Sequence, residues 1–207
     1  MKKILQSIII ATIVAVACTQ SGQCQTPDIT PEMVQDMIIR GKQYVYSLNK
    51  NIAYMANKRN SIADREFTRT SALSMFIGDG YGYEWNGRMS DGVITETTSV
   101  RNTAPRRQLT HKYYSRLINM NYPQIEINST QLHQMKASDL KKVGEGKYEV
   151  SICYEQEFRA TTDGGWQLYG DRTTKKVKVL IEVRDGIDGK ILIIKLGDTL
   201  ALETSRL

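Results

Sequence analysis

The sequence predicts an α+β protein in which amino-terminal helices pack on a curved antiparallel sheet. Three observations lead there. Apolar residues recur at helical spacing from Val34 to Met55, the period switches to alternation beyond Gly78, and the second half holds four long alternating runs separated by glycine-bearing turns. Helical spacing marks a one-sided helix, and alternation marks a half-buried strand.

Thr30-Pro31-Glu32 opens the first helix. Threonine caps the free amide groups, proline is tolerated at the first helical position, and the glutamate suits the positive helix end. Val34, Met37, Ile38, Gly41, Tyr44, Val45, Leu48, Ile52 and Met55 then keep one stripe, with Gln35, Lys42 and Asn49 opposite. The heptad is not sustained, so the stripe reads as a helix lying on a sheet, with Met37, Tyr44, Leu48 and Ile52 filling its concavity. Ser61-Ile62-Ala63-Asp64 starts a second helix with a box-like cap, and Gly78 ends it.

Tyr81, Tyr83 and Trp85 next alternate with Gly82 and Glu84; the chain turns over Gly87 to Gly92, and Val93 to Val100 is rich in β-branched residues. This predicts a hairpin with a loose loop. Helical spacing returns from Gln108 to Met120. After Pro123, strands are expected at Gln124 to Lys136, Lys147 to Thr161, Trp166 to Arg184 and Lys190 to Glu203. The turns Gly144-Glu-Gly146, Asp163-Gly-Gly165 and Asp185-Gly-Ile-Asp-Gly189 make these an antiparallel meander.

The beginning of the chain carries a different signal. Lys2 and Lys3 precede an apolar run from Ile4 to Ala17 with a small-residue exit, Ala15-Val16-Ala17. That is the pattern of an export signal, expected over residues 1–17, and it is too short for a comfortable membrane span. Residues 18–29 are polar and without period, as a flexible tether would be, leaving 30–207 as a single domain. Formal net charge is +6, two of these charges being the leader's Lys2 and Lys3. The remainder is mildly basic and spread along the chain, which fits a solvated surface and not a nucleic-acid interface. Of three cysteines, Cys18 follows the leader, Cys24 lies in the tether and Cys153 in a predicted strand; a bridge between the last two stays open.

Two resemblances extend this reading. Ala15-Val16-Ala17-Cys18 resembles a bacterial lipobox, with alanine where leucine is commonest, and implies lipidation of Cys18; ordinary cleavage to a soluble periplasmic protein is the alternative. The element order helix, helix, hairpin, helix and four strands resembles the cystatin-like cone of the nuclear transport factor 2-like superfamily, in which a bent antiparallel sheet curls around a long amino-terminal helix. That resemblance spans nearly the whole chain after Asp28 and rests on order and length. Tyr154-Glu-Gln-Glu-Phe158 and Tyr169-Gly-Asp-Arg-Thr-Thr-Lys175 also resemble strands of exported Bacteroidetes proteins of this fold whose role is unassigned. A plain open sheet with helices on one face is the alternative architecture.

The densest cluster of polar chemistry runs from Glu155 to Asp171 around the Gly164-Gly165 turn. Tyr148, Val150, Ile152, Tyr154, Gln156 and Phe158 share the core face, so Glu155, Glu157 and Arg159 point to solvent. Gln167, Tyr169, Asp171, Thr173 and Lys175 form an alternating set across the turn. Pairing of the acids with Lys175 or Lys176 would make the whole a solvated, salt-bridged face. In enzymes of the cone fold, the resemblance implies a buried Asp or His beside a Tyr or Arg. Asp171 beside Tyr169 is the carboxylate that fits. His133, on the parity of Ile125 and Ile127, could face a pocket, whereas His111 sits on a basic helix start. Asp79 to Gly87 lacks the lysine and helix of a phosphate loop, and no spacing marks a metal, redox or triad site.

The expectation is an exported, lipid-anchored, non-catalytic envelope domain that binds a small molecule or an envelope protein, with no cofactor and no metal. It would lie at the outer membrane or on the periplasmic face. Its candidate contact residues are Tyr81, Tyr83, Trp85, His133, Tyr169 and Asp171. A cone-fold enzyme using Asp171 and Tyr169, or a component of an envelope secretion or conjugation assembly, are the alternatives.

Overall fold

The computed structural model describes residues 29–187 and 189–207. The leader, the tether with Cys18 and Cys24, and the lipidation reading fall outside the described residues.

Helix α1 spans Pro31–Ala56. The Thr30 side chain accepts from the Met33 amide at 3.3 Å, and Pro31 occupies the first turn. Helix α2, Ile62–Leu73, begins on Ser61, whose hydroxyl accepts from the Asp64 amide at 3.1 Å while donating to the Asp64 carboxylate at 2.7 Å. After a 3-10 turn, Ile77–Gly80, come two hairpins where the sequence predicts one. The short strands β1, Tyr83–Trp85, and β2, Arg88–Ser90, meet at Asn86-Gly87 with both residues at positive φ, the geometry Asn-Gly turns favour. Strand β3, Ile94–Ser99, then pairs with β4, Asn102–Leu109, where the sequence predicts no element before Gln108 and a helix from there on. That helix, α3, spans Thr110–Ile118. Its final carbonyl, on Ile118, accepts from Lys58 at 2.7 Å and from the buried Arg65 at 2.9 Å, which suits the negative end of a helix.

The first of the four long strands is broken. Strand β5, Gln124–Ser129, gives way to a 3-10 turn, Leu132–Gln134, and to the short strands β6, Lys136–Ala137, and β7, Lys141–Gly144. Strands β8, Lys147–Thr161, β9, Gln167–Gly186, and β10, Gly189–Arg206, follow as expected. The large sheet has eight strands in the order β4-β3-β10-β9-β8-β5, with β6 and β7 also on β8. It is antiparallel throughout except where β3 runs parallel to β10. Register shifts interrupt β10 at Leu196/Thr199 and Ala201/Glu203 and β8 at Ala160/Thr161, and such bulges bend and twist long strands.

Helix α1 crosses β5, β8, β9 and β10. Its buried Met37, Val45, Leu48, Ile52 and Met55 pack with Val150, Ile152, Val177, Val179, Ile181 and Leu196. Gly41 marks the closest approach: a Cβ there would lie 3.5 Å from Val179 Cγ1 and 3.7 Å from Val150 Cγ1. Two assignments on α1 change. Tyr44 is 37 % exposed and not part of the plug, and Asn49, expected on the solvent side, is 2 % exposed. The architecture is thus α+β, helices on a large curved sheet that is mostly antiparallel. Among the described residues no helix is long and apolar enough to cross a membrane.

Candidate ligand cavity

Alternation along β9 fixes the site. Val177, Val179, Ile181 and Val183 are buried, and the same parity carries back through Lys175, Thr173 and Asp171, each about as buried as the valines. Of the polar set expected on a solvated face, Asp171, Thr173 and Lys175 therefore point inward, while Gln167 stays exposed. The physical reason is continuity: a strand cannot change faces without a bulge, and the β8–β9 register runs unbroken from Lys147 to Ala160. On β8, Gln156 lies opposite Thr173, Phe158 opposite Asp171, and Tyr154 opposite Lys175, all on the inner face.

Gln156 and Phe158 on β8, with Tyr169, Asp171, Thr173 and Lys175 on β9, form one wall of a cavity of about 230 Å³. Helix α3 supplies Tyr113 and Arg116, the segment after it Met120 and Tyr122, and β3 with its turn Thr97 to Ser99 and Arg101. Phe158 makes edge contacts with Tyr122 and Tyr169, with ring centroids 6.2 and 5.9 Å apart. Gln156 donates to Asn49 Oδ1 at 3.0 Å, which ties the cavity floor to α1.

Tyr169 donates its phenol proton to Asp171 Oδ2, and Ser99 Oγ lies 2.9 Å from the phenol oxygen. With the phenol proton on the carboxylate, the serine hydroxyl is the donor of that second bond. Burial raises the Asp171 pKa, opposed by the Tyr169 hydrogen bond and the Lys175 charge. Burial also raises Tyr169, and the bond to Asp171 adds to it because it holds the phenol proton. Lys175 is pushed down to about 8 by burial, against the pull of Asp171. Burial holds Tyr113 up at about 12. Of these groups the amine is moved toward neutral pH, the carboxyl is moved up from its ordinary range, and the phenols are held protonated.

The other sequence candidates lie elsewhere. Tyr81 stacks on His111 with ring centroids 4.6 Å apart, and Tyr83 packs against the core edge. Trp85 donates to Glu149 at 2.9 Å on the outer sheet face, with the Lys147 ammonium 5.2 Å from its ring centre. His133 lies exposed in the 3-10 turn between β5 and β6, because the predicted strand stops at Ser129 and its parity with Ile127 is lost. Glu155 and Glu157 face outward as expected, but Glu157 pairs with Arg172 at 2.6 Å and Arg159 at 3.1 Å, not with Lys175 or Lys176. Cys153 is half-buried on β8.

Sequence reasoning missed Lys175, Gln156, Tyr113, Arg116 and Arg101 as cavity residues. For Lys175 the signal was present, in its shared parity with Val177 and Val179. Among the described residues no cluster of three His, Cys, Asp or Glu side chains is arranged to hold a metal. No protein-family model, curated protein or solved structure matches the chain.

Proposed function

We propose that the protein is an exported, lipid-anchored, non-catalytic envelope domain, and that its cavity binds a small molecule. One observation carries the binding part: buried polar side chains and aromatic rings from three separate elements converge on one opening instead of being packed shut. The leader pattern and Cys18 support the envelope part. The long helix α1 lying on a bent sheet supports the cystatin-like cone of the nuclear transport factor 2-like superfamily as the architecture.

Screening small fragments by NMR tests the binding part. Fragments should perturb the Tyr113, Gln156 and Tyr169 resonances and lose affinity in Thr97→Trp, which plugs the opening. Fragments that bind Thr97→Trp equally well would refute it. For the anchor, Cys18→Ala should be exported yet released from membranes, since acyl chains supply the affinity. Sedimentation of that variant with membranes in high salt would refute lipidation.

A second reading, an enzyme with Asp171 and Tyr169 as an acid–base pair, has the raised carboxylate in its favour. Turnover of a bound fragment that vanishes in Asp171→Asn while binding persists would establish it over the first.

A further inference from the structure

We infer that the cavity selects a small organic carboxylate with an apolar or aromatic body. The inference rests on the reading of the cavity as a ligand site and adds the ligand's chemistry. Three cationic side chains line the opening, Arg101, Arg116 and Lys175, against a single carboxylate, Asp171. That carboxylate is already engaged by the Tyr169 hydroxyl. Lys175 has no hydrogen bond or ion pair among the described residues; its ammonium lies 5.8 Å from the centre of the Tyr113 ring, and the residue is 6 % exposed. The buried Nε of Arg116 likewise has no hydrogen-bond partner among them.

A buried ammonium without an acceptor and a buried, unpartnered Nε on the half-buried Arg116 are both costly, and an incoming anion lessens that cost at each. Met120, Tyr122, Phe158 and the ring of Tyr113 give the lining an apolar and aromatic part that suits a hydrocarbon body, beside the hydroxyls of Thr97, Thr98, Ser99 and Thr173 and the Gln156 amide. A bare inorganic anion would leave that part uncovered. A neutral aromatic compound would leave the cations unpaired. A carboxylate on an apolar body satisfies both halves of the lining, and its planar acceptor matches the guanidinium fork of Arg116.

The groups facing Lys175 are Asp171 on its own strand, Tyr113 and Arg116 on α3, and Tyr154 across β8. Tyr113 is held at about 12, and burial raises Tyr154 as well. Raising the pH from about 7 to about 9.5 therefore discharges Lys175 while both phenols stay protonated. The same titration in Asp171→Asn separates any contribution of the carboxylate.

The test is calorimetric titration of the full chain with 2-naphthoate and with its neutral analogue 2-naphthamide. The acid should bind about tenfold or more tightly than the amide at neutral pH, as a charge-assisted bond implies. That preference should shrink in Lys175→Met, in Arg116→Met, and in the unchanged protein as pH passes through about 8. Equal binding of acid and amide would overturn the anion inference and leave the cavity reading standing. Acid preference unchanged in both variants would overturn the assignment to this cavity. No binding of either compound, with no perturbation of the Tyr113 or Tyr169 resonances, would overturn the cavity reading itself.

Discussion

Tyr169 and Asp171 stand two residues apart on one strand, face the same cavity, and are joined phenol to carboxylate. Lys175, on the same face further along the strand, feels the remaining charge of that carboxylate, which is the influence holding its pKa up against burial. Replacing Asp171 with asparagine keeps an acceptor for the Tyr169 hydroxyl and deletes the charge. The Lys175 pKa should then fall below its present value of about 8. Following the lysine side-chain carbons by NMR through a pH titration checks this. An unchanged or higher midpoint would show that the two charges do not interact.

Lys175 itself should cost stability. Its folded pKa of about 8 lies below the unfolded value of 10.5, so between those limits the unfolded chain binds more protons and stability rises with pH. At pH 7 the amine is charged in both states and the burial penalty is at its full size. Lys175→Met should therefore stabilise the protein at pH 7 by about 1–4 kcal/mol, as apolar replacement of buried charge commonly does. Near pH 10 most of the advantage should be gone. Urea unfolding at the two pH values decides it: a methionine variant that is less stable at pH 7, or equally advantaged at both, contradicts the assignment. A stabilising change of this kind is also what a residue kept for binding would show.

The outer face of the same hairpin behaves differently. Arg172, and then Arg159, hold the Glu157 carboxyl below its ordinary pKa, while Glu155 lies exposed opposite Thr174. A lowered carboxylate pKa gives stability that is present above the unfolded pKa and lost as pH falls through the folded one. Solvent and salt screen these exposed groups, so the double change Glu155→Gln, Glu157→Gln should cost less than about 1 kcal/mol at pH 7. The variant should also lose less stability than the parent on acidification toward pH 3. A cost well above that at pH 7 would mean the face is less solvated than its exposure indicates.

The contrast between the two faces of this hairpin shows what was legible in the sequence. Apolar periodicity and glycine turns were enough to place α1, β8, β9 and β10, because long elements repeat their signal many times. Strand β4 was not legible: it forms the edge of the sheet and carries Pro105, Arg106 and Arg107, residues that edges tolerate and that read locally as a loop. The run Thr173-Thr174-Lys175-Lys176 reads as solvated by composition, while its parity with Val177 makes half of it interior. The cavity needs β3, α3 and β9 together, and no sequence period reports a meeting of distant segments. Asn49 was hidden in the same way, a polar residue within the helical spacing of Val45, Leu48 and Ile52.

That asparagine and its neighbour give a paired test of how α1 holds the sheet. Leu48 is 1 % exposed, and its truncation to alanine removes buried methylene groups and leaves a space the rigid sheet cannot close. Leu48→Ala should cost about 2–5 kcal/mol. Asn49→Ala would be nearly silent on a solvent face, but its Oδ1 accepts from the buried Gln156 amide at 3.0 Å. Without that acceptor a buried donor is stranded, so the cost should be about 1–3 kcal/mol. Gln35→Ala, on the exposed side, should stay within roughly 0.5 kcal/mol. Thermal unfolding of the three variants ranks them, and sedimentation should show the same mass for all. If the stripe were instead a self-association seam, Leu48→Ala would leave the midpoint unshifted and lower the mass. If Asn49→Ala were as mild as Gln35→Ala, the Asn49–Gln156 bond would contribute nothing to the tie between helix and cavity floor.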